Sequence, residues 1–513
     1  MKRFKYIKIS VLAVLMLVQF SACKKQLAEV IPQDAISKEQ VLSDPNAAVT
    51  LYTGLYGLFR SYNSTFFQLG EGRSEIWADG LFTESADAGL QNLGKHNISA
   101  LNVPFNNWGG FYNLIYNLNN VITLFPQTKL SQADKDRMMA EAYGMRAYVY
   151  YTMLKTWGGV PLTTTPIQSI SNAAETYKAR STPDSVLLQV KNDIEQSLQL
   201  FGSSNIIPAG KRVYWNRLAT LVLKGDVYIW SGTLMNGGNQ DLNTAKAALQ
   251  EVENLQGTTL NLAANYADIF DPAKKANNTA NPEVIFAINY ELNQASNGVF
   301  SSFQVNGIQA TTLSFAQAAT PLVSSVYPYV NGANRVGMSQ AMINRLTSGP
   351  ADQRISNTFR VMYSSSAPYA VRGILLTKWL GSTSGTSQVY NNDFPVYRYA
   401  DVLLLMAEAK AKLGEDPSAE INAIRIRAYG SSNYTPYVNG TVDDNIKAIL
   451  EEQLREFIGE GKRWWALRRA GDAYVYGNIN PAYLSPTSTA KLLLPISVSM
   501  LNNDPLLLQT PGY

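Results

Sequence analysis

The chain has 513 residues, with 43 Lys and Arg against 39 Asp and Glu, and a single His and a single Cys. One cysteine rules out disulfides within the chain and Cys-clustered zinc, and one histidine (His96) rules out a paired-His zinc motif of the HExxH kind. Charged residues make up only 16%, while aromatics reach 11% with 29 Tyr and 8 Trp, a composition suited to binding polar, uncharged ligands rather than nucleic acid.

The first residues carry Lys2, Arg3, Lys5 and Lys8, followed by an apolar run from Val11 to Val18 and then the small residues Ser21 and Ala22. A basic segment, a short apolar run and a small-residue site read as a secretory signal over residues 1–22. The apolar run falls well short of the roughly 20 residues a membrane-spanning helix needs. Phe20-Ser21-Ala22-Cys23 resembles the lipobox of bacterial lipoproteins, which marks Cys23 as a lipidation site; a lone thiol after an ordinary cleavage site is the alternative. Loss of residues 1–22 leaves 39 basic against 39 acidic side chains, a formally neutral mature chain that begins with a tether over 23–36.

A helical region spans 37–256, with helices expected near 38–60, 108–125, 184–200, 213–232 and 241–254. The longest runs from Gln132 to Trp157, where Met138, Ala142, Met145, Val149 and Met153 form one stripe. Pro183-Asp184 marks a helix start. Between 257 and 394 Gly, Asn, Ser, Thr and Pro dominate, and the apolar runs Val284–Ile288 and Ile374–Leu380 read as strands in a loop-rich insert. Helices return over 395–513, at Val396–Leu413, 417–428 and Val442–Arg469. The helices follow one another in pairs with Ala and Gly facing inward, as in tetratricopeptide-type arrays, although no strict repeat is present. The fold class is therefore mainly α, a helix-pair scaffold with a large loop-rich insert and a few short strands.

Enzyme signatures are sparse: G-x-S-x-G, G-x-x-x-x-G-K-[ST] and G-x-G-x-x-G are all missing from the sequence. His96 reads more readily as a loop residue than as a ligand. A pair of carboxylates across a groove, as in a glycoside hydrolase, is compatible with any sequence and stays open. No metal or cofactor motif is found, the EF-hand pattern included. Arg398 is expected to pair with Asp401 or Glu408, Arg463, Arg468 and Arg469 to lie solvated or paired near a helix C-terminus, and Trp464 and Trp465 to serve packing.

Six stretches in order are EAYGMRAYVYYTMLKTWGGVPL (141–162), FPVYRYADVLLLMAEAKAKLG (394–414), INAIRIRA (421–428), ILEEQLREFIGEGKRWWALRRAGD (449–472) and the terminal LLLPISVSMLNNDPLLLQTPGY, preceded at the N-terminus by the lipobox. Together they resemble the SusD/RagB family of nutrient-binding outer-membrane lipoproteins of Bacteroidota. The resemblance implies four tetratricopeptide-like helix pairs, no catalytic activity, and a non-enzymatic role as lid of a SusC-type TonB-dependent transporter that takes up oligosaccharide, or peptide in RagB-like members. It implies a place in the cell outer membrane, lipid-anchored and facing outward. Lys24 and Lys25 directly after Cys23 depart from the acidic residues that often follow this cysteine in surface-displayed members.

In such a protein, sugar rings stack on aromatics and hydroxyls meet polar side chains. By loop position and residue type, the ligand-facing candidates are Arg73, Trp77, Asp79, Phe82, Asn92 and His96 in residues 66–99, with Phe300, Phe303, Tyr327 and Tyr329 in the insert. A glycan ligand favours an exposed aromatic platform and a peptide favours a cleft lined by backbone groups.

Overall fold

The computed structural model describes residues 36–80, 87–167, 171–205, 207, 211–275 and 281–513. The signal segment, Cys23 and nearly all of the tether lie outside the described residues, as does Phe82. The chain is 54% helix and 9% strand, the mainly α class expected.

The N-terminal part contains α1 (Lys38–Ser43), α2 (Pro45–Ser61), α3 (Asn63–Glu71), α4 (Ala88–Gly94), α5 (Gly109–Leu124), α6 (Gln132–Trp157), α7 (Pro183–Phe201), α8 (Arg217–Leu234) and α9 (Gly238–Glu253). The insert holds the short helices α10 (Gly307–Ala310), α11 (Val323–Val326), α12 (Gln340–Thr347) and α13 (Gln353–Thr358). The C-terminal part has α14 (Tyr399–Lys412), α15 (Ser418–Tyr429), α16 (Val442–Glu456), α17 (Arg463–Ala470), α18 (Asp472–Asn478) and α19 (Val498–Asn503).

Local chemistry sets the long helices. Ser131 caps α6, accepting from the Asp134 amide at 3.1 Å, and Gly158 ends it at φ +75°. Thr182 caps α7 with Pro183 at its first position. α6 lies along α5 and α7, α8 along α7 and α9, and α14 closes against α8, α9 and α16, an array of neighbouring helices. Small residues permit this: a β-carbon on Gly144 of α6 would stand 2.1 Å from Trp215 Nε1.

Three boundaries differ from the periodicity. The run near 38–60 breaks at Asp44, whose side chain caps α2 through the Asn46 amide at 2.9 Å. The stretch from Val396 begins as strand, and the helix starts only at Tyr399, because the Arg398 amide donates to Asp401 Oδ2 at 2.8 Å and the Tyr399 amide to the Glu283 carbonyl at 2.7 Å. The Val442–Arg469 stripe is two helices separated by residues 457–462. There Gly459 and Gly461 take φ +80° and +72°, and both their amides donate to the Glu71 carboxylate at 2.7 Å.

The strands are β1 (Trp77–Asp79), β2 (Val284–Ile288), β3 (Leu313–Ser314), β4 (Val336–Met338), β5 (Arg360–Ser364), β6 (Val371–Leu375), β7 (Ser382–Ser384), β8 (Ser387–Val389) and β9 (Phe394–Arg398). All pairings are antiparallel: β1 with β4, β2 with β9, β5 between β3 and β6, and β7 with β8. Val284–Ile288 is the strand expected. The other expected strand, Ile374–Leu380, ends at Leu375 and gives way to a 3-10 turn over Thr377–Trp379. One large apolar core runs through all three parts of the chain, and a smaller one around Val305, Leu313, Val323 and Met362 sits within the insert.

Charge sits inside this core. Arg398 is fully buried and pairs with Glu456 Oε1 at 2.6 Å, with Glu460 Oε2 at 2.9 Å and with Glu283, while Arg427 bridges Glu283 and Glu456. Lys378 pairs with Glu460 at 2.6 Å, and Arg354 with Asp352 and Glu452 at 2.8 Å each. The partners expected for Arg398 are thus corrected: Asp401 takes only its amide, and Glu408 instead pairs with Arg469 at 2.8 Å. Arg463 opens α17 rather than closing it and pairs with Glu75 at 2.5 Å, while Arg468 donates to the Leu492 carbonyl at 2.5 Å. These arginines are buried, not solvated. Trp464 and Trp465 are buried packing residues, with Arg73 and Lys155 over their rings.

Although burial opposes ionisation, the Arg398, Lys378 and Lys462 charges hold the Glu460 carboxyl down at about 2. Its ordinary value is higher, so the stability it supplies is present above that value and lost as pH falls from about 4.5 toward about 2. Replacing Arg398 by Met leaves Glu283, Glu456 and Glu460 short of a cation, and urea unfolding is expected to show a loss of about 3–5 kcal/mol at neutral pH. The loss shrinks in acid as the Glu456 and Glu460 carboxyls protonate; a deficit unchanged between neutral and acid pH would contradict the assignment.

Candidate functional site: an aromatic-walled cleft

Between the N-terminal loops, the insert and the chain after α18 lies a cleft of 740 Å³. Its floor is built by the β1–β4 pair, where Trp77 faces Met338 and Asp79 faces Val336 in register. Gly80 permits the strands' approach, since a β-carbon there would meet the Asn334 carbonyl at 1.8 Å. This pairing brings together the two regions picked out in the sequence. Trp77 and Asp79 come from the first and Phe303 from the second.

The Trp77 ring stands edge-on to Phe303 with centroids 4.6 Å apart, and Phe303 in turn meets Phe67 at 5.5 Å. Trp77 Nε1 donates to Glu71 Oε1 at 3.0 Å. One buried carboxylate therefore fixes both the cleft's indole and the glycine loop ahead of α17. Burial pushes the Glu71 carboxyl up to about 7, and the amides of Gly459 and Gly461 only partly counter it. At the rim, Lys95 pairs with Asp79 at 2.7 Å and Arg335 with Asp87 at 3.2 Å. On the far wall Glu75 pairs with Arg463 at 2.5 Å, beside Asn478, Asn480 and Tyr483.

Other candidates lie elsewhere. Arg73 and His96 are buried, not ligand-facing. Arg73 donates to the Leu492 carbonyl at 3.3 Å and to that of Lys491, and lies 4.3 Å over the Trp464 ring. His96 Nε2 lies 2.9 Å from the Arg73 carbonyl and Nδ1 3.3 Å from its guanidinium. Burial, with the Arg73 charge, pushes the imidazole down to about 3, so His96 is neutral at physiological pH. Arg73, on the α3–α4 connection, clamps the C-terminal segment, and His96, just after α4, holds Arg73 in place. Phe300 is also taken into the core, stacked on Trp379 at 4.4 Å and 7°. Asn92, on α4, accepts from Asn97 Nδ2 just beyond the helix at 2.9 Å and does not line the cleft. Tyr327 packs edge-on to Phe315 at 5.8 Å against the insert's small core, and Tyr329 is exposed outside the cleft.

Sequence reasoning missed Glu75, Lys95, Arg335 and Arg345, and above all Asn478, Asn480 and Tyr483. The last three carry no local signal, since the turn at Gly471 (φ +133°) and short α18 bring them to the cleft. Among the described residues no group of three or more His, Cys, Asp or Glu side chains is placed to hold a metal ion, and no helix is long and apolar enough to cross a membrane.

A helical array with a lateral cleft of aromatic floor and polar rim defines a ligand-binding scaffold. The chain belongs to the SusD family: the family model of that description matches residues 282–513, and a second, described as "Starch-binding associating with outer membrane", matches 36–208. It is 26% identical over 510 residues to SusD-like protein P38 of Formosa agariphila, covering 94% of each chain. Among solved structures, B. fragilis NanU superposes with a TM-score of 0.82 at 32% identity, over 94% of this chain and all of that one. The starch-binding protein SusD of Bacteroides thetaiotaomicron is 23% identical over 462 residues, covering 79% of this chain and 78% of its own.

Glu71 gives the cleft a measurable titration. Its folded value lies above its ordinary one, so the stability it contributes is full below about 4.5 and lost as pH rises through about 7. Glu71→Gln, which cannot ionise, is expected to remove that decline and to flatten a Trp77 fluorescence change centred near pH 7. An identical pH profile in wild type and Glu71→Gln would contradict this.

Proposed function

We propose that the protein captures oligosaccharide at the cell surface and hands it to a SusC-type TonB-dependent transporter, over which it acts as a lid. The observation that carries this reading is the 740 Å³ cleft in which Trp77, braced by Phe303 and Glu71, offers an apolar face within reach of Asn, Tyr and paired charges. Sugar C–H faces pack on such a ring, and hydroxyls exchange hydrogen bonds with the rim. Each rim charge already has an opposite partner, Lys95 with Asp79, Arg335 with Asp87 and Glu75 with Arg463, so the site favours a neutral ligand. Family membership and the name of the starch-binding relative support the glycan reading.

The role is non-enzymatic. Among the described residues, the cleft carboxylates Asp79 and Glu75 are held in ion pairs and Glu71 is fully buried behind Trp77, so none of these three is placed as a general acid on an open groove. Cys23 carries the lipid anchor that holds the mature chain to the outer membrane, with the folded part facing outward.

The test is affinity electrophoresis of the soluble chain, cut after Cys23, against a polysaccharide panel and a peptide digest. Retardation by one glycan, weakened about tenfold or more in Trp77→Ala, with no reducing ends released, is expected. Binding of peptides alone would replace the ligand with peptide, and released reducing ends would overturn the non-enzymatic role. Separately, Cys23→Ser is expected to move the full-length protein from the membrane to the soluble fraction and to abolish labelling by radioactive palmitate; membrane retention of that variant would contradict the anchor.

A further inference from the structure

Beside the cleft lies a second cavity of 500 Å³, formed against α16 and α18. The two share lining residues, Arg345 and Asn478, and an ion pair links them, since Glu75 lines the first cavity and Arg463 the second. Arg463 has further partners. Arg463 donates to the Leu450 carbonyl at 2.6 Å and reaches Asn478 Oδ1 at 3.4 Å. Its partner is less complete: the Glu75 side chain is only 9% exposed, yet its Oε2 is buried with no hydrogen-bond partner.

The second cavity is polar and electrically balanced. Arg345 pairs with Glu451 at 2.5 Å and Lys447 with Asp443 at 2.7 Å, while the Tyr474 hydroxyl donates to Asp443 at 2.9 Å. Its charges are paired, Arg463 with Glu75 from the first cavity, and it presents the ring of Tyr474 amid hydrogen-bonding groups, as the first cavity presents Trp77.

We infer that the two cavities form one track for a linear, neutral, hydroxyl-rich chain, with Trp77 holding one unit, Tyr474 a later one, and Arg345, Asn478 and the Glu75–Arg463 pair lining the crossing. The inference rests on the glycan reading and adds to it that the ligand is an oligomer recognised by length. A chain spanning both cavities gains the second set of contacts without a second loss of translational freedom, so affinity climbs with chain length until both are filled.

Gly477 provides a clean plug. It lies on α18 and lines the second cavity only, and a β-carbon built there meets nothing within 4 Å, so Gly477→Trp adds a bulky ring at that cavity with no clash at its β-carbon. Calorimetric titration of the mature chain with neutral α-glucan, β-glucan, mannan and xylan oligosaccharides, from disaccharide to octasaccharide, is the experiment. For the series that binds, affinity is expected to rise about tenfold or more with length. Gly477→Trp and Tyr474→Ala should abolish that gain while leaving the shortest binder unaffected, with unfolding midpoints confirming that both variants are folded. Affinity independent of length, or a gain that survives both variants, overturns the inference and leaves the glycan reading standing. Failure of the folded wild type to bind any saccharide overturns both.

Discussion

The structure depends on a guanidinium with no access to water. Arg398, at the step from β9 into α14, is held by Glu283 from the edge of the insert and by Glu456 and Glu460 from the end of α16 and the loop after it. Three separate parts of the chain therefore meet on one charge. Burying it is tolerable only because several carboxylates converge, and these are in turn shared with Arg427, Arg354 and Lys378. A hydrophobic cluster of similar volume would tolerate small slips between the elements. A fixed fork of hydrogen bonds does not, and it sets the position of residues 457–462 relative to the helical array.

That loop transmits the constraint to the site. Gly459 and Gly461 donate to Glu71, and Glu71 also accepts from Trp77. The route from the charged core to the cleft is thus a short chain of contacts: Arg398, Glu460, the glycine loop, Glu71, and the indole. Gly70 is part of the same fit, because a β-carbon there would meet the Gly461 carbonyl at 1.8 Å. The cleft's aromatic wall is preorganised by groups that never touch ligand, which limits the ordering that binding must impose.

Helices whose ends are marked by local chemistry could be read from the sequence. The Met138–Met153 stripe gave a helix over Gln132–Trp157 because a serine cap and a terminal glycine bound it on either side. The break after Glu456 could not be read, since the acceptor that stabilises it lies 388 residues earlier in the chain. The same distinction governs the site. Trp77, Asp79 and Phe303 were found from residue type in long loops, but Arg73, His96 and Phe300, chosen on the same grounds, face inward, and which side of a loop faces the core depends on what packs against it. For Arg73 the partners are carbonyls of residues 491 and 492, close to the chain's other end.

The central claim is that ligand is held at the Trp77 wall of the cleft. Hydrogen exchange of the mature chain, alone and saturated with a retained glycan, measures this directly. Slowed exchange is expected at the amides of residues 74–79, 335–342 and 478–483, which surround the cleft, with the insert's outer loop around Tyr327 and Tyr329 unchanged. Protection confined to that outer loop, with the cleft amides unaltered, would contradict the account.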